Sequence, residues 1–323
     1  MSWLRKNWFL LGLLGAVGLA FAAPGPGSED GLLHTRVTTR LAVVVIFLVQ
    51  GMTLASEAIR EGLARIRLHV VVQAFTYLVI PLVALALDRL LGHLLAPELR
   101  LGFLFLAVLP TTISTAIVFT SLAGGNAAAA LVNATISNVL GVFVTPLWVG
   151  FLLEARGEAI PVWPMIRELV LLILVPLAVG QVLRPLLRAH IDARKPAAGV
   201  LNSALVLFIV YAAFCKSVDS GVWTRHGPAP LVGALAGSIL LFAIVMALTV
   251  LAARVFRLTE ADRIAALFCA PQKTLAAGAP MAQLIFGAHP GLGLIMLPVM
   301  IYHPVQLLVG GFLVNRLKGR SEP

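Results

Sequence analysis

"IAALFCAPQKTLAAGAPMAQLIFG", residues 264–287, has the length and the apolar flanks of a membrane helix, yet Pro271, Gln272, Lys273, Gly278 and Pro280 interrupt it. A proline inside a helix removes an amide donor and clashes with the carbonyl one turn back. The stretch therefore reads as a helix broken near its middle. A second stretch, "FLFLAVLPTTISTAIVFTSLAGG" at 103–125, repeats the order: an apolar lead, Pro110, a polar cluster, then small residues. Pro110 and Pro271 stand 161 residues apart, half the chain length. The segments that follow agree, since "TPLWVGFLL" (145–153) resembles "HPVQLLVGGFL" (303–313), with Pro146 and Pro304 158 residues apart. Two motifs sharing nearly one offset predict an internal repeat.

Composition sets the medium. Of 323 residues, 60% are hydrophobic and only 12% charged, and the mean hydropathy is +0.99. A soluble domain carries about 25% charged residues, so this chain reads as a polytopic all-α membrane protein. Apolar windows divided by charges and Gly/Pro clusters fall at 8–23, 39–57, 68–88, 101–122, 127–152, 166–187, 199–216, 229–253, 263–286 and 291–315. That is ten spans. The start, "MSWLRKNWFLLGLLGAVGLAFAAP", imitates a signal peptide, but keeping it as the first span fits the count and the repeat. The repeats are then 1–160 (helices 1–5) and 161–323 (helices 6–10). Five is odd, so the two halves enter the membrane in opposite orientations. Such inverted repeats, with paired Gly/Pro-interrupted segments, mark transporters and their binding sites.

The charges orient the chain. With the N-terminus inside, fifteen of the 24 Lys and Arg residues fall on the inner side and seven on the outer: Arg36, Arg40, Arg89, Arg100, Arg156, Lys216 and Arg225. The positive-inside rule then predicts a multi-pass protein of the inner (plasma) membrane with both termini cytoplasmic. This basic excess is a topology signal, dispersed at segment ends, and speaks against nucleic acid as a partner. Cys215 and Cys269 form no CxxC motif and no disulfide framework. Hydrolase, zinc-protease and P-loop patterns are absent, and the spans hold no carboxylate pair. The chain reads as neither an enzyme nor an ATP-driven pump.

Chemistry gathers at the breaks. Half-helix N-termini favour anions, whereas freed carbonyls and C-terminal ends favour cations. Thr112, Ser114 and Thr115 lie in the fourth segment, and Gln272, Lys273 and Thr274 in the ninth. Asn133, Ser137 and Asn138 come from the fifth, and Gln73 and Thr76 from the third. Lys273 is the sharpest of these. Arg263 closes the preceding loop, so Lys273 lies ten residues in, about 15 Å along a helix. That is too deep to reach the interface comfortably, and ionisable groups at such depth mark pathways or relays.

In "LPTTISTAIVFTSLAGGNAAAALVNATISNVLGVFVTPL" (109–147), "FLVQGMTLASEAIREGL" (47–63), "RLHVVVQAFTYLVIPL" (67–82) and "FCAPQKTLAAGAPMAQLIF" (268–286), the chain resembles the bile acid:sodium symporter family, more closely its divergent branch. The resemblance implies ten helices as two inverted repeats, with a panel domain (helices 1, 2, 6 and 7) and a core domain (helices 3–5 and 8–10). Helices 4 and 9 would be discontinuous and cross. It also implies import of a small organic anion, a bile-acid-like molecule or another carboxylate or sulfonate, with sodium or protons by alternating access. Beyond the lipid bilayer, no partner or cofactor is expected except a sodium ion, at Ser114, Thr115 and Gln272. Departures from the pattern matter here. The family's ion-site glutamate falls on Phe268, two hydroxyl positions fall on Ala130 and Ala134, and the third-helix glutamine falls near Thr76 or on Gln73. An anionic ligand is missing, and Lys273 has arrived. The other reading left open is a regulatory or receptor-like membrane protein on a transporter fold, without sodium-coupled transport.

Overall fold

The computed structural model describes residues 8–28, 31–53, 64–154 and 161–318. Residues 1–7, residues 54–57 of the second expected span and the loop bases Arg60 and Arg156 lie outside the described residues. Among the described residues the chain is helical, with no strand. It is a multi-pass membrane protein: among the described residues, seven helices are long and apolar enough to cross a bilayer.

We number the helices α1 (Trp8–Ala22), α2 (Thr35–Thr53) and α3 (Ile66–Leu94). Next come α4 (Pro97–Val108), α5 (Ser114–Leu122), α6 (Ala127–Glu154) and α7 (Val162–Ala193). The last six are α8 (Lys195–Asp219), α9 (Val222–His226), α10 (Ala229–Val255), α11 (Glu260–Cys269), α12 (Leu275–Phe286) and α13 (Leu292–Lys318). The fourth and ninth expected spans each divide in two, at 109–113 and 270–274. Pro110 and Pro271 stand inside those gaps. The long helices also run several residues past their apolar windows, because helix ends carry polar residues that hydropathy discounts.

The chain forms two compact units. One comprises 1–54, 161–229 and 279–296. Within it α2 and α7 pack at close range: a Cβ on Gly51 would lie 2.2 Å from the Leu177 carbonyl oxygen, and one on Gly180 2.3 Å from that of Leu48. Small residues are what allow such an approach in a membrane. α7 also completes the end of α2, where Gln181 Nε2 donates to the Gly51 carbonyl and Arg184 Nη1 to that of Met52, both at 2.7 Å.

The other unit comprises 55–160, 230–278 and 297–323. The alanine-rich start of α6 lets α3, α5 and α11 close around Ala129 and Ala130, with Leu68, Val72, Ala116, Ala265, Ala266 and Cys269. Gly124, at φ +74°, makes the turn into α6 that a side chain would strain. Asn126 follows as the cap: its Oδ1 accepts from Ala129 N at 3.0 Å, and its Nδ2 donates to Asp262 Oδ1 at 3.0 Å. Asp262 lies in the first turn of α11, where a negative charge suits the helix dipole.

Candidate functional site

The two helix breaks meet. Thr274 N donates to the Pro110 carbonyl at 3.0 Å, and Thr111 Oγ1 to the Cys269 carbonyl at 2.6 Å. In lipid an unpaired backbone group costs several kcal/mol, so each carbonyl that a proline frees needs a partner.

From 107 to 111 every carbonyl finds one. Ala107 and Leu109 accept from Lys273 Nζ at 2.8 and 2.7 Å. Val108 accepts from Thr145 Oγ1 at 2.8 Å, Pro110 from the Thr274 amide, and Thr111 from Asn138 Nδ2 at 3.0 Å. The Thr111 amide donates to Ser137 Oγ at 3.1 Å. At the second break Tyr302 OH donates to the Pro271 carbonyl at 2.7 Å. Gln306 clasps Lys273 by its backbone, accepting from its N and donating to its O, both at 2.8 Å. The long helix after each break thus supplies part of what satisfies it, α6 for the first and α13 for the second, and the rest comes from the other break.

Lys273 has a third carbonyl partner, Thr76, at 3.1 Å. That carbonyl is available for a local reason. α3 carries a π turn over Phe75–Val79, and Pro81 lacks the N–H that a residue five or four places back would accept. Those residues are Thr76 and Tyr77. Thr76 takes Lys273 instead, and the Tyr77 carbonyl takes Trp148 Nε1 at 2.9 Å. π turns recur at functional sites. The Lys273 side chain, 1% exposed, therefore ends in a cage of three carbonyl oxygens contributed by α3 and the first break. Carbonyl oxygens are also what a hard monovalent or divalent cation takes.

Beside the cage, Thr115 Oγ1 donates to Gln272 Oε1 at 2.9 Å and lies 3.3 Å from Thr112 Oγ1. Thr112 and Gln272 are buried, whereas Ser114, which opens α5, is exposed. Thr274 Oγ1 accepts from Ala277 N at 3.2 Å and starts α12. A second polar pair faces α6 from α3. Gln73 Nε2 donates to the Asn133 carbonyl at 3.0 Å, and the Gln73 amide oxygen has no hydrogen-bond partner among the described residues. Asn133 Nδ2 donates back to Ala129. Ser137 and Asn138 hold the first break, as above. The position where the resemblance implies a glutamate is apolar here: Phe268, 1% exposed, packs on Phe119 with ring centroids 5.7 Å apart. Among the described residues no three His, Cys, Asp or Glu side chains gather to hold a metal ion.

Tyr302, Gln306, Tyr77 and Thr145 do not stand out from sequence. A polar residue on an apolar helix reads as helix–helix glue, and nothing local marks which broken carbonyl it serves.

A multi-pass helical protein whose two broken helices meet, with carbonyls at the first break turned to an ammonium from the second, has the build of the class of secondary transporters. The chain is a member of the SBF-like CPA transporter family, whose sequence profile matches residues 7–319. Among curated relatives, "Uncharacterized protein PA2026" of Pseudomonas aeruginosa is 37% identical over 314 residues, 97% of this chain and 93% of that protein. "Sodium/bile acid cotransporter 7" of Danio rerio is 33% identical over 317 residues, covering 97% and 94%. Its namesake in Mus musculus is 32% identical over 317 residues, covering 97% and 93%.

Proposed function

We propose that this protein is a symporter of a small organic anion, coupled to sodium or protons by alternating access, with the ion and substrate site where helices 4 and 9 break. In this reading the ten spans form two inverted repeats, 1–160 and 161–323. Panel helices 1, 2, 6 and 7 move against core helices 3–5 and 8–10, and both termini face the cytoplasm. The observation that carries it is the carbonyl cage around Lys273 Nζ. A cage of this kind at a helix break is a cation site, and here a tethered ammonium fills it. Thr115 and Gln272, joined at 2.9 Å, are the neighbouring groups for a free sodium ion, with Ser114 one residue away. Gln73, Thr76, Asn133, Ser137 and Asn138 line or fix the same region, and Thr112 and Thr274 flank the breaks. With one cation position occupied by Lys273, at most one sodium ion accompanies each substrate, or a proton takes its place.

The test is uptake into proteoliposomes of radiolabelled taurocholate and, in parallel, of small sulfonates. Inward gradients of sodium, of potassium and of protons are imposed separately. Uptake should rise with a sodium Hill coefficient of no more than one, or follow the proton gradient without sodium. A coefficient near two would sink the tethered-cation reading. No gradient-driven uptake of any anion would sink the transport reading itself.

A further inference from the structure

Gln306 does more than clasp the Lys273 peptide. Its Oε1 accepts from Lys273 N and its Nε2 donates to Lys273 O, both at 2.8 Å. Those backbone partners fix the amide: turned over, it would set donor against donor and acceptor against acceptor. An amide nitrogen carries two hydrogens, and the second goes to His303 Nδ1, 3.0 Å away on the same helix. His303 Nδ1 must therefore present a lone pair, which places the ring in its neutral form with the hydrogen on Nε2. All three residues belong to the second unit.

A proton on Nδ1 is incompatible with this arrangement. In the imidazolium both ring nitrogens are donors, so Nδ1–H would meet the Gln306 N–H. If Gln306 turns its oxygen to the ring instead, its nitrogen faces the Lys273 N–H and its oxygen the Lys273 carbonyl. Either way the clasp is lost. The clasped peptide is the base from which the ammonium reaches the carbonyls of Thr76, Ala107 and Leu109. His303 is half-buried, whereas Gln306 and Lys273 are buried, so the ring is the member of the trio with surface to spare. The other titratable groups around it are engaged elsewhere. Tyr302 OH donates to the Pro271 carbonyl, and the Cys269 thiol faces the Ala130 carbonyl. The charges of α11, Glu260, Asp262 and Arg263, stand in its first turn, away from the break. α5 and α12 carry no titratable side chain, and α10 only Arg254 in its last turn.

We propose that His303 Nδ1 is the binding site of the coupling proton, and that taking up this proton releases the Gln306 clasp on the Lys273 peptide. As the coupling site it rests on the transport reading. As a proton site it stands on the hydrogen bonds alone.

The test is backbone hydrogen exchange at the Lys273 amide of the full chain in nanodiscs, from pH 5.5 to pH 7.5. His303→Asn is the reference, because asparagine keeps a neutral acceptor where Nδ1 stands and takes up no proton. Comparing the two at each pH also cancels the intrinsic pH dependence of exchange. They should exchange alike at pH 7.5, and wild type about tenfold faster at pH 5.5, since one proton shifts an equilibrium by at most about tenfold per pH unit. Gln306→Met removes the clasp at every pH and serves if His303→Asn does not fold: wild type should exchange more slowly than this variant at pH 7.5 and approach it at pH 5.5. Proton-driven uptake should be lost in His303→Asn. Wild-type exchange that keeps a constant ratio to either variant across this range would overturn the proton site. Uptake indifferent to a proton gradient, or full proton-driven uptake by His303→Asn, would overturn the coupling role. A ratio that changes with pH, without gradient-driven uptake of any anion, would leave the proton site standing and sink the transport reading alone.

Discussion

Replacing Lys273 with alanine empties the carbonyl cage and tests whether it is a cation site. The carbonyls of Thr76, Ala107 and Leu109 lose donors at 3.1, 2.8 and 2.7 Å. An orphaned buried acceptor costs about 1–3 kcal/mol, so three cost about 6 kcal/mol at mid-range. Against this, the variant no longer holds an ammonium in the membrane, which on insertion scales costs about 3 kcal/mol. Lys273→Ala should therefore be destabilised by about 3 kcal/mol, a fall in Tm on the order of 5–10 °C. Alanine leaves room for an ion. At 100 mM salt and a site Kd of about 10 mM, sodium would restore RT ln 11, about 1.4 kcal/mol, or about half the loss. The assay is thermal unfolding of wild type, Lys273→Ala and Lys273→Met in sodium chloride against choline chloride at equal ionic strength. Sodium should raise the Tm of the alanine variant by a few degrees. Methionine fills the volume without donating, so Lys273→Met should be destabilised and stay insensitive to sodium. Identical melting of Lys273→Ala in sodium and choline would refute the reasoning.

Further outcomes follow from single contacts. Tyr302→Phe removes the donor to the Pro271 carbonyl and should cost about 1–3 kcal/mol, read as a lower Tm with the fold retained by circular dichroism. Gly51→Leu drives a side chain into the backbone of α7, where even a Cβ would stand 2.2 Å from Leu177 O; it should destabilise by more than about 3 kcal/mol or abolish folded expression. Arg40→Gln breaks an ion pair whose side chains are 58% and 35% exposed, so after solvent screening its Tm should move by no more than about 1 kcal/mol equivalent. Thr115→Val leaves Gln272 Oε1 without its 2.9 Å donor and should lower sodium-driven uptake severalfold while changing proton-driven uptake little.

The breaks were legible where a proline stands beside a polar cluster: the gaps fall around Pro110 and Pro271 at 109–113 and 270–274, whereas Gly278 and Pro280, also read as interrupting the ninth span, stand inside α12, as Pro146, Pro298 and Pro304 stand inside α6 and α13. The sequence count from Arg263 to Lys273 does not run along one helix, because α11 ends at Cys269; the structure shows Lys273 buried in the break that follows. What the ammonium touches was not legible. Two of its three carbonyls lie 164 and 166 residues away in sequence and the third 197, and a backbone carbonyl carries no residue signature. Pro81 points from sequence to the carbonyl four residues back, Tyr77; the π turn over Phe75–Val79 that also frees Thr76 is seen only in the structure.

The near-symmetry of the breaks makes their one asymmetry informative. Each break has a proline, a reaching hydroxyl or amide from the following long helix, and a backbone contact with the other break. Only the second sends a cation, and it sends it into the first. A mobile ion in that place would make closure of the site depend on its concentration, whereas a tethered side chain is present at any sodium concentration. The stability of the paired breaks in this protein should therefore be independent of sodium, with any ion dependence confined to the neighbouring Thr115–Gln272 pair. Measuring Tm across sodium concentrations in wild type and in Thr115→Val separates the two, because sodium bound at either place raises Tm by mass action. A Tm that still climbs with sodium in Thr115→Val would place an ion in the cage after all.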